Sequence, residues 1–153
     1  MRIAKCGFND VAGGASGQLL LTAYGPTLLV DIGFDPNFVQ GASIAPIAGI
    51  TGIQALVDTG AGESCIDNLL AAQLNLPVVD RRHLSGSAGK HEVNVYLAQV
   101  HIPILPFTIW GAFAGVELRA GGQMHSALIG RTFLQNFKME YNGLTGDVTI
   151  TAS

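Results

Sequence analysis

The chain has 153 residues, enough for one domain whose core needs no disulfide or metal staple. Only 12% of the residues are charged and 48% are hydrophobic, and there are 20 glycines, a composition that points to a turn-rich β protein with a thin polar surface and a buried partner face. A net charge of -3, with no basic cluster beyond Arg81-Arg82, argues against a nucleic-acid partner.

Residues 1–17 carry no hydrophobic period and read as a loose lead-in to a single domain over 18–153. Asn9 and Asp10 interrupt the start before any apolar core develops, which argues against a signal peptide. Residues 19–24 and 27–32 read as two short strands about the Gly25-Pro26 turn. A proline-bearing loop follows from 34 to 48. Residues 53–57, apolar at every position but Gln54, enter a central strand and read as continuous rather than alternating, as expected of a strand covered on both faces. The longest apolar stretch, 44–57, is broken by Pro46, Gly49, Gly52 and Gln54 and is too short to span a bilayer. With two distant cysteines, Cys6 and Cys65, and no Cys-x-x-Cys, a cytoplasmic, reduced protein is expected, with no metal and no cofactor.

Asp58-Thr59-Gly60-Ala61 sits where the run Ala55-Leu56-Val57 opens into a glycine turn, so an acid is held rigidly with one edge open to substrate. Asp67 can cap a helix over 68–74 that Pro77 blocks. Extended segments at 79–84 and 91–102 flank Ser85-Gly86-Ser87-Ala88-Gly89, whose small residues suit a mobile hairpin tip. Residues 104–110 and 115–118 are further strand candidates, and 127–129 make a short buried strand ending at Gly130. A second short helix fits 131–137, and Asn142-Gly143 joins two final strands, the last over 147–151. The terminal segments 18–24 and 147–151 could serve a dimer interface or close the subunit's own sheet.

These residues resemble the retropepsin-like aspartic proteases, the single-lobed, homodimeric relatives of pepsin. The likeness rests on Asp58-Thr59-Gly60-Ala61, then Ser64 and Ile66, then a flap-like segment at 84–91, and then Leu128-Ile129-Gly130-Arg131-Thr132-Phe133-Leu134. It implies a mostly β, closed-barrel-like lobe with a flap hairpin and two short helices. It also implies an aspartic endopeptidase acting on a peptide or protein substrate as a homodimer, with one Asp58 per subunit. In such a pair, one carboxylate activates water and the other protonates the leaving amine; like charges about 3 Å apart cannot both ionise, so they share a proton. Thr59 would clamp the two loops across the two-fold axis, and Gly60 would let backbone approach the carboxylate. Ala61, Leu84, Gly86, Ala88, Gly89 and Ile129 would meet the substrate, with Ile66 a further pocket candidate. Ala61 stands where a serine hydroxyl could donate to the carboxylate, so activity is expected to reach from mildly acidic toward neutral pH.

Other readings of the same residues exist. Asp58 could cap a turn in a non-catalytic dimerisation or peptide-binding module of the same fold. A phosphate loop at a helix start is opposed by Asp58 and Glu63 and by the missing Walker lysine. Asp31-Ile32-Gly33 mimics the acidic turn but lacks the hydroxyl residue after the acid, and reads as part of the first hairpin. His83, His91, His101 and His125 lie at no metal-ligand spacing, and Phe107, Trp110 and Phe113 read as core or dimer contacts.

Overall fold

A computed structural model describes residues 2–39, 49–86 and 89–152. In chain order its elements are β1 (Arg2–Lys5), α1 (Gly17–Tyr24), β2 (Thr27–Gly33), β3 (Gly49–Val57), β4 (Cys65–Asp67), α2 (Asn68–Gln73) and β5 (Val78–Gly86). Then follow β6 (Gly89–Ile102), β7 (Phe107–Val116), β8 (Ala127–Ile129), α3 (Arg131–Leu134), β9 (Lys138–Asn142) and β10 (Asp147–Ala152). Strands β2, β3, β8, β4, β7 and β6 are neighbours in that order, and β6 returns to β2 through Gln99–His101 against Asp31–Gly33. The expected mostly β, closed barrel is therefore what forms, and β5 hangs from β6 outside the ring.

Closure leaves inward-facing Val30, Ile32, Ala55, Val57, Val100, Ile102 and Ile129 at 3% exposure or less. Phe133 seals one end, with Phe107 edge-on at 5.5 Å between ring centroids and Phe137 at 4.6 Å. β3 alternates instead of being covered on both faces: Ala55 and Val57 are buried while Gln54 is exposed. No helix among the described residues is long and apolar enough to cross a membrane.

The chain's first residues depart from the expected lead-in. Arg2–Lys5 pair antiparallel with β10, which also pairs β9, and Ala4 and Cys6 are fully buried beneath this sheet. The final strand thus closes the subunit's own sheet. The partner of β1 comes from the other end of the chain, so no local pattern announces it. The expected strand at 19–24 is instead helix α1. Ser16 Oγ accepts from the Leu19 N–H at 3.1 Å, Asp10 Oδ1 accepts from the Gly17 N–H at 2.7 Å, and leucine favours helix once such caps exist. Gly25, at φ +74°, ends it, its N–H donating to the Leu21 carbonyl. Helix α2 starts at the Asp67 cap as expected, and with α1 the helices among the described residues number three where two were expected. The two strands expected at 104–110 and 115–118 are one, β7, because Gly111 at φ +120° carries the chain through the apparent break.

His125, just before β8, is 1% exposed. Thr27 Oγ1 donates to the Gly25 carbonyl, so its oxygen is left to accept from His125 Nε2–H at 2.8 Å. Nδ1 is then a bare, buried acceptor without a partner among the described residues, and burial pushes the imidazole pKa down. The unfolded chain takes up a proton at about pH 6.5 where the folded one resists, so stability should fall as pH drops below that value toward the lower folded pKa. Urea denaturation at about pH 7.5 and 5.5 should show this loss in wild type and a smaller one in His125→Gln; equal losses would refute the assignment.

Candidate active site

Asp58 follows the last residue of β3, and its own N–H donates to the Ile129 carbonyl at 2.9 Å, extending the β3–β8 pairing by one residue. The chain then turns. The Gly60 N–H donates to Asp58 Oδ1 at 2.8 Å and the Ala61 N–H donates to the Asp58 carbonyl at 3.2 Å. A Cβ on residue 60 would lie 3.1 Å from that carboxylate oxygen, a tight contact that glycine avoids. Asp58 is half-buried, Thr59 and Gly60 are exposed, and Oδ2 has no hydrogen-bond partner among the described residues. A rigidly placed carboxylate with one free oxygen at an open face is suited to polarising a water molecule.

The loop is braced from the turn between β8 and α3. The Gly130 N–H donates to buried Ser64 Oγ at 3.0 Å, the Arg131 N–H to the Ala61 carbonyl at 2.9 Å, and the Thr132 N–H to the Gly62 carbonyl at 3.0 Å. The Arg131 guanidinium adds a bond from Nη1 to the Thr59 carbonyl at 2.7 Å. The crossing is so close that a Cβ on residue 130 would lie 2.6 Å from the Glu63 carbonyl. The motif includes Arg131 without indicating this contact; a cation directly after Ile129-Gly130 is the available signal.

The β5–β6 hairpin pairs Leu84 with His91 and Gly86 with Gly89, while Ala88 lies outside the described residues. Arg82 Nη1 meets Glu63 Oε2 at 3.2 Å and ties the hairpin to the Asp58 loop, a contact that no spacing in the sequence disclosed. Ile129 and Ile66, expected to line pockets, are 1% and 0% exposed. Their side chains belong to the core, and Ile129 offers its carbonyl instead. Ala61 and Leu84 are partly accessible, and Gly89 is exposed at φ +99°. Asp31 is a structural tether, accepting from the Gly52 N–H at 3.1 Å. Phe113 is core, whereas Trp110 is 49% exposed against Phe38. Burial, followed by the Glu63 charge, pushes the Cys65 thiol up to about 11, against the pull of Arg82, so this neighbour of the loop stays a protonated, unreactive thiol at neutral pH.

No family model and no curated protein sequence matches the chain. Among solved structures it is similar to the EIAV protease complexed with the inhibitor HBY-793, at 18% identity and a TM-score of 0.47, over 72% of this chain and 85% of that one.

If Ser64 and Gly130 hold the loop, each should be costly to change. Ser64→Ala, which strands a buried N–H, should lower unfolding free energy by about 1–3 kcal/mol, and Gly130→Ala by at least as much through overpacking. Urea titration reads both; a loss under about 0.5 kcal/mol in either would show that the crossing is slack.

Proposed function

We propose that the chain is an aspartic endopeptidase that works as a symmetric homodimer, Asp58 of each subunit supplying half of the catalytic pair. The observation that carries this reading is the Asp58 carboxylate itself. One oxygen is fixed by the Gly60 N–H, the other has no partner among the described residues, and the loop is tied down by Ser64, Gly130 and Arg131. Such a loop occurs once in the sequence, and hydrolysis by paired acids needs two, so a second copy related by a two-fold axis completes the site.

In the shared-proton pair, the ionised Asp58 takes a proton from water as the water oxygen bonds to the peptide carbonyl carbon. The protonated Asp58 meanwhile donates to the carbonyl oxygen, giving a neutral tetrahedral diol. The acid formed in the first step then protonates the nitrogen, the C–N bond breaks, and the carboxylate left on the other side recovers a diol proton as the new acid forms. Thr59 clamps the loops across the axis and Gly60 orients the carboxylate. The β5–β6 hairpin acts as a flap, in which Gly86 and Gly89 offer backbone to an extended substrate while Ala61, Leu84 and Ala88 shape the side-chain pockets. The two free cysteines suit a reducing, cytoplasmic setting.

Peptide pools incubated with wild type at about pH 4 to 7 and read by mass spectrometry should show cleavage that Asp58→Asn reduces by about a thousandfold or more. Equal cleavage by both proteins would place the chemistry elsewhere, and silence from a stable wild-type dimer would leave a non-catalytic peptide-binding module. Mixing equal amounts of wild type and Asp58→Asn should lower activity per total chain to about a quarter, since only wild-type pairs hold two acids; a fall to about half would mean that each subunit acts alone.

A further inference from the structure

We infer that Arg131 is a specificity determinant that selects peptides carrying a carboxylate side chain a few residues from the scissile bond. The inference rests on the protease reading for the site's location, but not on catalysis. Arg131 is exposed, yet its guanidinium is held by the Nη1 bond to the Thr59 carbonyl, one residue from Asp58. That bond uses only part of a donor set whose planar fork matches a carboxylate. Among the described residues no carboxylate lies within ion-pair distance of it.

The loop explains why the charge is left over. Gly62, whose missing Cβ would sit 3.7 Å from Arg131 Nη2, supplies no side chain at the place where an acid could pair it. The next residue, Glu63, is committed to Arg82 on the hairpin. In the proposed dimer, two Arg131 guanidiniums are each bonded one residue from a catalytic pair that shares one proton and so carries a single negative charge. The rim beside the reacting atoms is therefore net positive and unfilled. An extended substrate advances about 3.3 Å per residue, so a side chain two or three residues from the cleaved bond reaches this rim. A Glu or Asp there can dock on the free edge of the guanidinium with charge-assisted hydrogen bonds, which are about twice as strong as neutral ones.

Because Arg131 also braces the loop, the test compares ligands instead of absolute activities. Full-length Asp58→Asn, which binds without cleaving, is immobilised and offered two matched pools of extended peptides that differ only in Glu versus Gln. Retention is quantified by mass spectrometry at low salt and at about 0.5 M salt, where surface charge is screened. The Glu pool should be retained about tenfold better at low salt. That ratio should fall toward one at high salt and in Asp58→Asn/Arg131→Gln, and persist in part in Asp58→Asn/Arg131→Lys. A Glu:Gln ratio of one in the parent, retention of neither pool, or a ratio unmoved by Arg131→Gln would overturn the inference. Loss of the preference with cleavage intact elsewhere, or the preference without any cleavage by wild type, separates this inference from the protease reading.

Discussion

The arrangement depends on one close crossing. β8 lies between β3 and β4, parallel to the first and antiparallel to the second, so the chain leaving β3 must arch over the end of β8 before re-entering as β4. An arch over a strand end exposes backbone groups that no sheet can satisfy. Here the turn at 130–132 satisfies them, donating to Ser64 Oγ and to the Ala61 and Gly62 carbonyls. Those bonds can form only if the two backbones nearly touch, and Gly130, with the Glu63 carbonyl where its Cβ would be, is the residue that lets them. Asp58 inherits its fixed position from this contact.

Two aspartates bound the arch, and the difference between them separates structure from chemistry. Asp67 is completely buried, and it accepts from the Leu118 and Arg119 N–H groups at 2.9 and 3.1 Å and from the Leu70 N–H at 3.3 Å. A carboxylate taken out of water is tolerable only when hydrogen bonds replace its hydration, and this one is surrounded by donors. It anchors the end of β4, starts α2 and holds the chain after β7. Asp58 has a single N–H on one oxygen and faces solvent with the other. The acid ringed by donors has little left to offer a ligand, whereas the under-coordinated one keeps an oxygen without a partner among the described residues.

What sequence disclosed was local. The Asp58 turn, the Asp67 cap and the Asn142-Gly143 reversal each depend on a few adjacent residues whose backbone preferences act without help from the rest of the chain. The elements misread depend on distant partners. β1 is a strand because β10 is there, and α1 is a helix because Asp10 and Ser16 cap a leucine-rich segment that reads equally well as extended. Within the site, the turn at Asp58-Thr59-Gly60 is where the sequence put it, but the Ile129 side chain, expected to meet substrate, is buried. A buried strand end contributes its carbonyl, and only the three-dimensional register reveals which way the side chain points.

The hairpin follows a different physical rule from the barrel. Among the described residues, β7 covers β6 from Val95 to Ile102 and β2 covers Gln99–His101, so residues 89–94 pair there with β5 alone. A two-stranded ribbon is marginally stable in water, and the Arg82–Glu63 contact, between side chains 35% and 59% exposed, adds about 0–1 kcal/mol. The tie is too weak to lock the ribbon. It biases the hairpin toward the Asp58 loop while leaving most of its order to be supplied by a third strand. In the proposed protease that strand is the substrate, whose extended backbone would complete on binding the pairing that the free ribbon lacks. In that reading a marginal ribbon beside a rigid acid is a division of labour: the barrel holds the carboxylate, and peptide binding would order the hairpin over it.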